Sequence, residues 1–184
     1  MDESTIISWV KLNAEPLPSD IEGTCYRAAA KLIDGTPLPC VLFAPSEQRV
    51  QLALRRFEQS RTSGITDPNN IVPGFYPRIV SGFVCGGNQV NHYDIASLEK
   101  SPHAIPLARL REIQGETSMS WTAFAAVMDD GKEFSFGTSF LMEFFSMPPG
   151  YTANQIQKII PHRNVEKPIY RERPFFKCFL ENLH

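Results

Sequence analysis

The sequence lacks the features that direct a chain into or across a membrane. Its first residues include Asp2 and Glu3, where a signal peptide carries basic residues, and no A-x-A-like cleavage site follows an apolar segment. No window approaches the roughly 18 uninterrupted apolar residues that a transmembrane helix needs. We therefore expect a cytoplasmic protein with no membrane-spanning helix.

Motifs for metal and nucleotide binding are also missing. The sequence contains no C-x-x-C, H-x-x-x-H or H-E-x-x-H spacing, and it has no glycine-rich phosphate loop or G-x-S-x-G nucleophile motif. His92 and Asp94 form an H-x-D pair that supplies at most two metal ligands, whereas a structural zinc site needs four. We expect neither a metal site nor a cofactor.

The chain carries little net charge and few cysteines. A formal net charge of −2 provides no global field to attract nucleic acid or an anionic membrane. Cys25, Cys40, Cys85 and Cys178 are widely spaced in apolar surroundings, which favours reduced, buried thiols. The length of 184 residues is typical of one domain. We expect residues 1–184 to form it, with 161–184 as a C-terminal arm packed on the rest.

The strongest pattern that is present lies between Ser118 and Met147. Two apolar runs flank Asp129-Asp130-Gly131, and Asp-Gly between alternating hydrophobic residues is typical of a tight hairpin turn. A second such turn, Asp34-Gly35, lies between apolar runs at 25–33 and 38–44. Local hairpins favour antiparallel pairing, so the sequence predicts an α+β domain with one mainly antiparallel sheet and two or three short helices packed on it.

Other segments give weaker signals. We predict helices at 47–61, where Val50, Ala53, Leu54 and Phe57 form an apolar stripe, and at 152–160, which opens with a capping box. We predict strands at 5–12, 78–85, 89–93, 105–113 and 139–147, with a helix at 107–114 as the alternative to the fourth and a buried helix as the alternative to the last. Gly137 predicts a bend or bulge.

One segment gathers chemically reactive side chains. Cys85, His92 and Asp94 lie within ten residues and could act as nucleophile, base and orienting carboxylate of a cysteine-dependent hydrolase or transferase. Nothing in the spacing turns Cys85 toward His92, however. The alternative interpretation is a glycine turn between two strands, with a buried thiol and a surface histidine.

Two further groups of residues suggest binding surfaces. Phe75, Tyr76, Tyr93 and Tyr151 lie in Gly-, Pro- and Asn-rich segments, where aromatic side chains either bind partners or close the ends of sheets. Arg49 and Arg56 lie two turns apart on the predicted 47–61 helix, and the C-terminal arm mixes basic and aromatic residues. A solvated helix face and a packed arm explain that pattern equally.

The sequence therefore leaves three functional hypotheses. The first is a non-catalytic protein-binding domain, such as an inhibitor or immunity-type antagonist from a bacterium or phage, with another protein as its partner. The second is the cysteine-dependent enzyme, and the third is an accessory protein that binds nucleic acid. The sequence does not determine whether the chain forms a homo-oligomer.

Overall fold

The computed structural model describes residues 1–20, 22–62, 66–67, 70–71, 87–139, 141–163 and 168–183. Cys85, Phe75, Tyr76 and the predicted strand at 78–85 lie outside these ranges. Within them the α+β class is confirmed, because helices accompany sheets whose strands are mostly antiparallel.

The elements follow one another along the chain with short connections. The helices are α1 (Glu3–Asn13), α2 (Ser46–Thr62) and α3 (Leu107–Leu110). The described strands are β1 (Pro16–Ser19), β2 (Gly23–Leu32), β3 (Pro37–Pro45), β4 (Thr66–Asp67), β5 (Asn70–Ile71), β6 (Ile95–Glu99), β7 (Thr122–Met128), β8 (Glu133–Thr138), β9 (Ile156–Pro161), β10 (Tyr170–Arg171) and β11 (Phe176–Leu180).

The first sheet is built on the β2–β3 hairpin. β1 and β6 both pair with the other side of β2, at its beginning and its end respectively, and β11 pairs with β3 in parallel. The turn between β2 and β3 is the predicted Asp34-Gly35, with Gly35 at a φ of 90°, which a residue with a Cβ tolerates poorly. The prediction of this hairpin is confirmed.

The second sheet is built on the β7–β8 hairpin and has the order β10-β8-β7-β9. The predicted turn connects the two strands, and both faces of β7 are largely buried. The strands are thus divided between two main sheets, where we expected one. A separate two-stranded pair, β4–β5, follows α2.

Phe144 and Phe145 connect the two sheets. Both are fully buried, but Phe144 packs with Cys25, Cys40 and Leu42 on the first sheet, whereas Phe145 belongs to the core of the second sheet. The predicted strand at 139–147 is therefore wrong: the described residues of this segment form a single bridge, between Phe145 and Glu172. A chain that serves two cores at successive residues passes between the sheets and joins neither.

The predicted strand at 5–12 is also wrong, because these residues lie in α1. Asp2 caps the helix, its Oδ1 accepting the Thr5 N–H at 2.8 Å. Ile6 and Val10, one turn apart, are fully buried against the first sheet, as a helix with one apolar face requires.

The predicted helix at 152–160 is limited to a single 3₁₀ turn, Ala153–Gln155. The capping box between Thr152 and Gln155 is present. The chain then continues as β9, because Ile156 and Ile159 enter the second core from a strand paired with β7. A capping box thus defined the start of a turn without determining its length.

Residues 89–113 differ from the prediction in order. Gln89 forms one bridge to Lys177, His92–Asp94 is a 3₁₀ turn, and the strand β6 follows where we expected a loop. The predicted strand at 105–113 is wrong and the helical alternative is correct, as the short helix α3 lies there.

The helix at 47–61 is confirmed as α2, although its apolar stripe is only partly covered. Val50 and Leu54 are each about half exposed, at 54% and 52%. Gly137 lies in a regular part of β8, opposite Ala123 and Arg171, so the predicted bend or bulge is wrong.

Candidate functional site

The segment 88–95 crosses one end of the first sheet, from its β11 edge to its β6 edge. Its start is bonded to Lys177, whose N–H donates to Asn88 O at 2.8 Å and whose O accepts the Val90 N–H at 2.9 Å. Its end enters β6 at Ile95, which pairs with Leu32 of β2. Backbone hydrogen bonds at both ends therefore determine where the intervening 3₁₀ turn lies.

His92 and Asp94, two of the three predicted catalytic residues, lie on this turn. The His92 ring meets the ring of its neighbour Tyr93 edge-on at 5.5 Å, and Asp94 Oδ2 accepts the side-chain amide of Asn91 at 3.4 Å. Because Cys85 is outside the described residues, its distance from His92 stays untested.

Tyr93 and Ile33 form an exposed apolar pair beside the Asp34-Gly35 turn, which we call the tip. Tyr93 is 60% and Ile33 71% exposed. The Ile33 N–H donates to Asp94 O at 2.9 Å and so connects the two segments. Asp34 Oδ1 accepts the Thr36 N–H at 2.9 Å, which stabilises the turn and lowers the pKa of the Asp34 carboxyl. The tip thus presents two large side chains on a hydrogen-bonded frame.

The three described cysteines are free and buried. Burial raises the pKa of the Cys25 thiol to about 12, that of Cys40 to about 11 and that of Cys178 to about 12. For Cys25, the Glu22 carboxylate adds to this effect. All three are therefore protonated thiols at neutral pH, and they lack the thiolate that nucleophilic catalysis needs.

Tyr151, a predicted binding residue, is half-buried at the end of the second sheet. Its hydroxyl donates to Asp130 Oδ2 at 2.6 Å and accepts from Lys132 Nζ at 2.7 Å. Its ring meets that of Phe134 at 5.1 Å. These bonds, first among them the one from Tyr151, lower the pKa of the Asp130 carboxyl to about 2. Tyr151 thus joins its loop to the hairpin turn.

Arg49, the described member of the predicted basic pair, is engaged within the chain. Its guanidinium lies 3.8 Å from Glu22 Oε1 and 4.8 Å from the ring centre of Phe179. Lys177 of the C-terminal arm also pairs with Glu22. Nothing is described of the Arg56 side chain.

Arg27 is a feature that the sequence analysis missed. It lies on β2 with its side chain only 3% exposed, on the same face of the strand as the buried Cys25. Its Nη1 donates to Glu143 O at 3.2 Å, while its Nε–H has no hydrogen-bond partner. The available signal was a charged residue two positions from Cys25 in an otherwise apolar strand that is covered on both faces.

Two cavities lie beside Arg27 and Glu143. The first, of about 160 Å³, is lined by Arg27 itself together with Asn13, Ala14, Glu15, Lys100, Ser101, Ala104, Pro106 and Asn154. The second, of about 320 Å³, has largely apolar walls and includes Glu143, whose buried Oε2 is unpartnered. Both are large enough for small ligands.

Searches for a metal centre and a membrane span returned nothing in the described ranges. There, no three His, Cys, Asp or Glu side chains converge as a metal ion would require. None of the helices described there combines the length and apolar composition needed to cross a bilayer.

Comparison with protein-family models, with curated proteins and with solved structures found no match to this chain. The α+β fold and the residues of its surfaces and cavities therefore provide the arguments about function.

Proposed function

We propose that the chain is a non-catalytic, cytoplasmic protein-binding domain that engages another protein through the tip, as an inhibitor or immunity-type antagonist would. The observation that carries this proposal is the exposure of Tyr93 and Ile33 on a hydrogen-bonded frame. A tyrosine offers a large contact area at a small cost in conformational entropy, and such residues dominate the energetics of many interfaces.

The geometry of the tip supports binding with little rearrangement. The Ile33 N–H bond to Asp94 O and the Thr36 N–H bond to Asp34 Oδ1 hold the two segments together before a partner arrives. A preorganised surface loses less entropy on association than a loop that must become ordered.

The state of the described thiols supports a non-catalytic role. Cys25, Cys40 and Cys178 are buried and protonated. A cysteine-dependent enzyme would have to use Cys85, with His92 and Asp94, and this alternative stays a prediction. The nucleic-acid hypothesis loses support from the intramolecular contacts of Arg49 and Lys177 with Glu22.

Site-specific photocrosslinking tests the proposal. A photoreactive phenylalanine analogue replaces Tyr93 in one variant and Leu12, 84% exposed on α1, in the control variant. In cells of the source organism we expect one discrete adduct from position 93 and none from position 12. An Ile33→Asp substitution should abolish that adduct.

The outcome that contradicts the proposal is the same adduct pattern from both positions, or no adduct from position 93. The Cys85→Ser substitution separates the alternatives, because a binding domain should keep its adduct when this thiol is removed.

A further inference from the structure

Arg27 is a buried cation that the protein leaves incompletely paired. Its only described carboxylate contact, Glu15 Oε2, lies 3.7 Å from Nη2, beyond hydrogen-bonding distance. That carboxylate is half exposed and already accepts the Leu107 N–H at 2.7 Å. The Nε–H has no partner. A buried guanidinium normally makes several hydrogen bonds to an anion, because leaving water without such bonds is costly.

The cavity of about 160 Å³ that Arg27 lines offers a place for the missing anion. Its volume corresponds to about five water molecules, which suits an oxyanion of a few heavy atoms. Lys100 lines the same cavity and is exposed, so a cation stands where the site meets solvent. The charged lining residues are Arg27, Lys100 and Glu15, and they leave one net positive charge.

We propose that this cavity is a binding site for a small oxyanion, a carboxylate or a phosphate, held by the Arg27 guanidinium. The planar guanidinium can donate two parallel hydrogen bonds to two oxygens of such an anion. Lys100 adds charge attraction from the solvent side, and the amide of Asn154 offers a further donor in the lining. Glu15 opposes binding, because its carboxylate shares the cavity with the incoming anion.

This arrangement predicts effects of opposite sign for two neighbouring substitutions. Lys100→Gln removes an attracting charge and should weaken binding about threefold to tenfold, as expected for one charge near a protein surface. Glu15→Gln removes a repelling charge but retains an oxygen that can accept the Leu107 N–H, and it should strengthen binding by a similar factor. A purely structural role for Glu15 predicts no gain in affinity.

Isothermal titration calorimetry on the full chain, with inorganic phosphate and then acetate as probes, tests the proposal. Each titration uses chloride to keep the ionic strength constant, because screening alone changes surface electrostatics. Lys31→Gln, an exposed lysine of β2 that does not line the cavity, is the matched control. Thermal melts of each variant establish that it is folded.

Saturable binding of either probe, with the two opposite shifts and an unchanged Lys31→Gln variant, supports the site. The proposal is overturned if neither probe binds above the chloride background. It is equally overturned if binding occurs but Glu15→Gln does not strengthen it. Preference for phosphate or for acetate distinguishes the two sources of the anion. None of these outcomes depends on a partner protein at the tip.

Discussion

At the scale of single residues, Gly137 shows how a close approach selects glycine. Its backbone is regular β-strand, so no positive φ requires it. A Cβ at this position would collide with the ring of Trp121 and come within 2.9 Å of Cβ and 2.8 Å of Cγ of Pro168. Arg171 stacks on the other contacts of this site, with its guanidinium 4.4 Å from the Trp121 ring centre. The absence of a side chain lets these residues pack onto β8.

We therefore expect Gly137→Ala to destabilise the protein by about 1–3 kcal/mol, the usual cost of overpacking a filled site. Urea denaturation of the variant measures this loss. The matched control is Gly87→Ala, because a Cβ there meets nothing within 4 Å and its φ is not positive. Equal stability of the two variants would contradict the close packing at Gly137.

A second residue-scale prediction concerns acid stability. Burial, reinforced by the nearby Arg173 guanidinium, lowers the pKa of His103 in the folded state, although its Nδ1 lies 3.0 Å from Phe145 O. The unfolded chain therefore binds a proton more readily, starting near the ordinary pKa of about 6.5. Stability contributed by neutral His103 is present above that pH and is lost as the pH falls below it.

Urea midpoints measured between pH 7.5 and 5 check this expectation. The wild-type midpoint should fall over this range, and His103→Gln should reduce the slope, because it removes one group that takes up a proton on unfolding. A steeper fall in the variant than in the wild type would disprove the assignment. The lowered pKa values of Asp34 and Glu112 add further acid sensitivity only at lower pH.

At the scale of elements, local signals predicted the hairpins better than the irregular segments. Asp-Gly turns and α2 lie where the sequence indicated, because turn chemistry and helical periodicity are encoded within a few residues. Thr152 and Gln155 encoded only the start of a turn, since pairing with β7 determined the strand after it. The burial of Arg27 depends on segments far along the chain, so periodicity could not reveal it.

α1 supplies an element-scale prediction, because helix and strand place its apolar residues differently. In a strand, Ile6, Val10 and Leu12 would share one face. In α1, Ile6 is fully buried and Leu12 points to solvent. We expect Ile6→Ala to cost about 2–5 kcal/mol and Leu12→Ala to change stability by less than about 0.5 kcal/mol.

Equilibrium denaturation of both variants provides the comparison. A similar loss from Ile6→Ala and Leu12→Ala would favour the strand. Circular dichroism of Leu12→Ala serves as the check that this variant retains native helix content.

At the scale of the whole molecule, the two sheets share a link at Phe144-Phe145. Phe145 contacts Phe124 and Phe136 of the second sheet, with ring centres 5.5 and 6.1 Å apart. Its neighbour Phe144 packs on the first sheet and meets Phe175 at 5.5 Å. Two cores joined through adjacent residues should unfold together.

The two tryptophans make this cooperativity measurable, since Trp9 packs at the first core and Trp121 on the second sheet. In single-tryptophan variants, Trp9→Phe and Trp121→Phe, each remaining fluorophore reports on one sheet. Phe145→Ala should lower the stability sensed by both by about 3–5 kcal/mol. If Phe145→Ala moves the midpoint of only one fluorophore, the sheets unfold independently.

The parallel pairing of β3 with β11 has a consequence for biosynthesis. β3 emerges from the ribosome early and can form its hairpin with β2 at once, but its other edge must wait for Phe176–Leu180. During that interval the nascent chain displays an apolar strand with unpaired amide and carbonyl groups, which is a template for aberrant association. Translation speed and chaperone occupancy over this interval should therefore govern the yield of native protein.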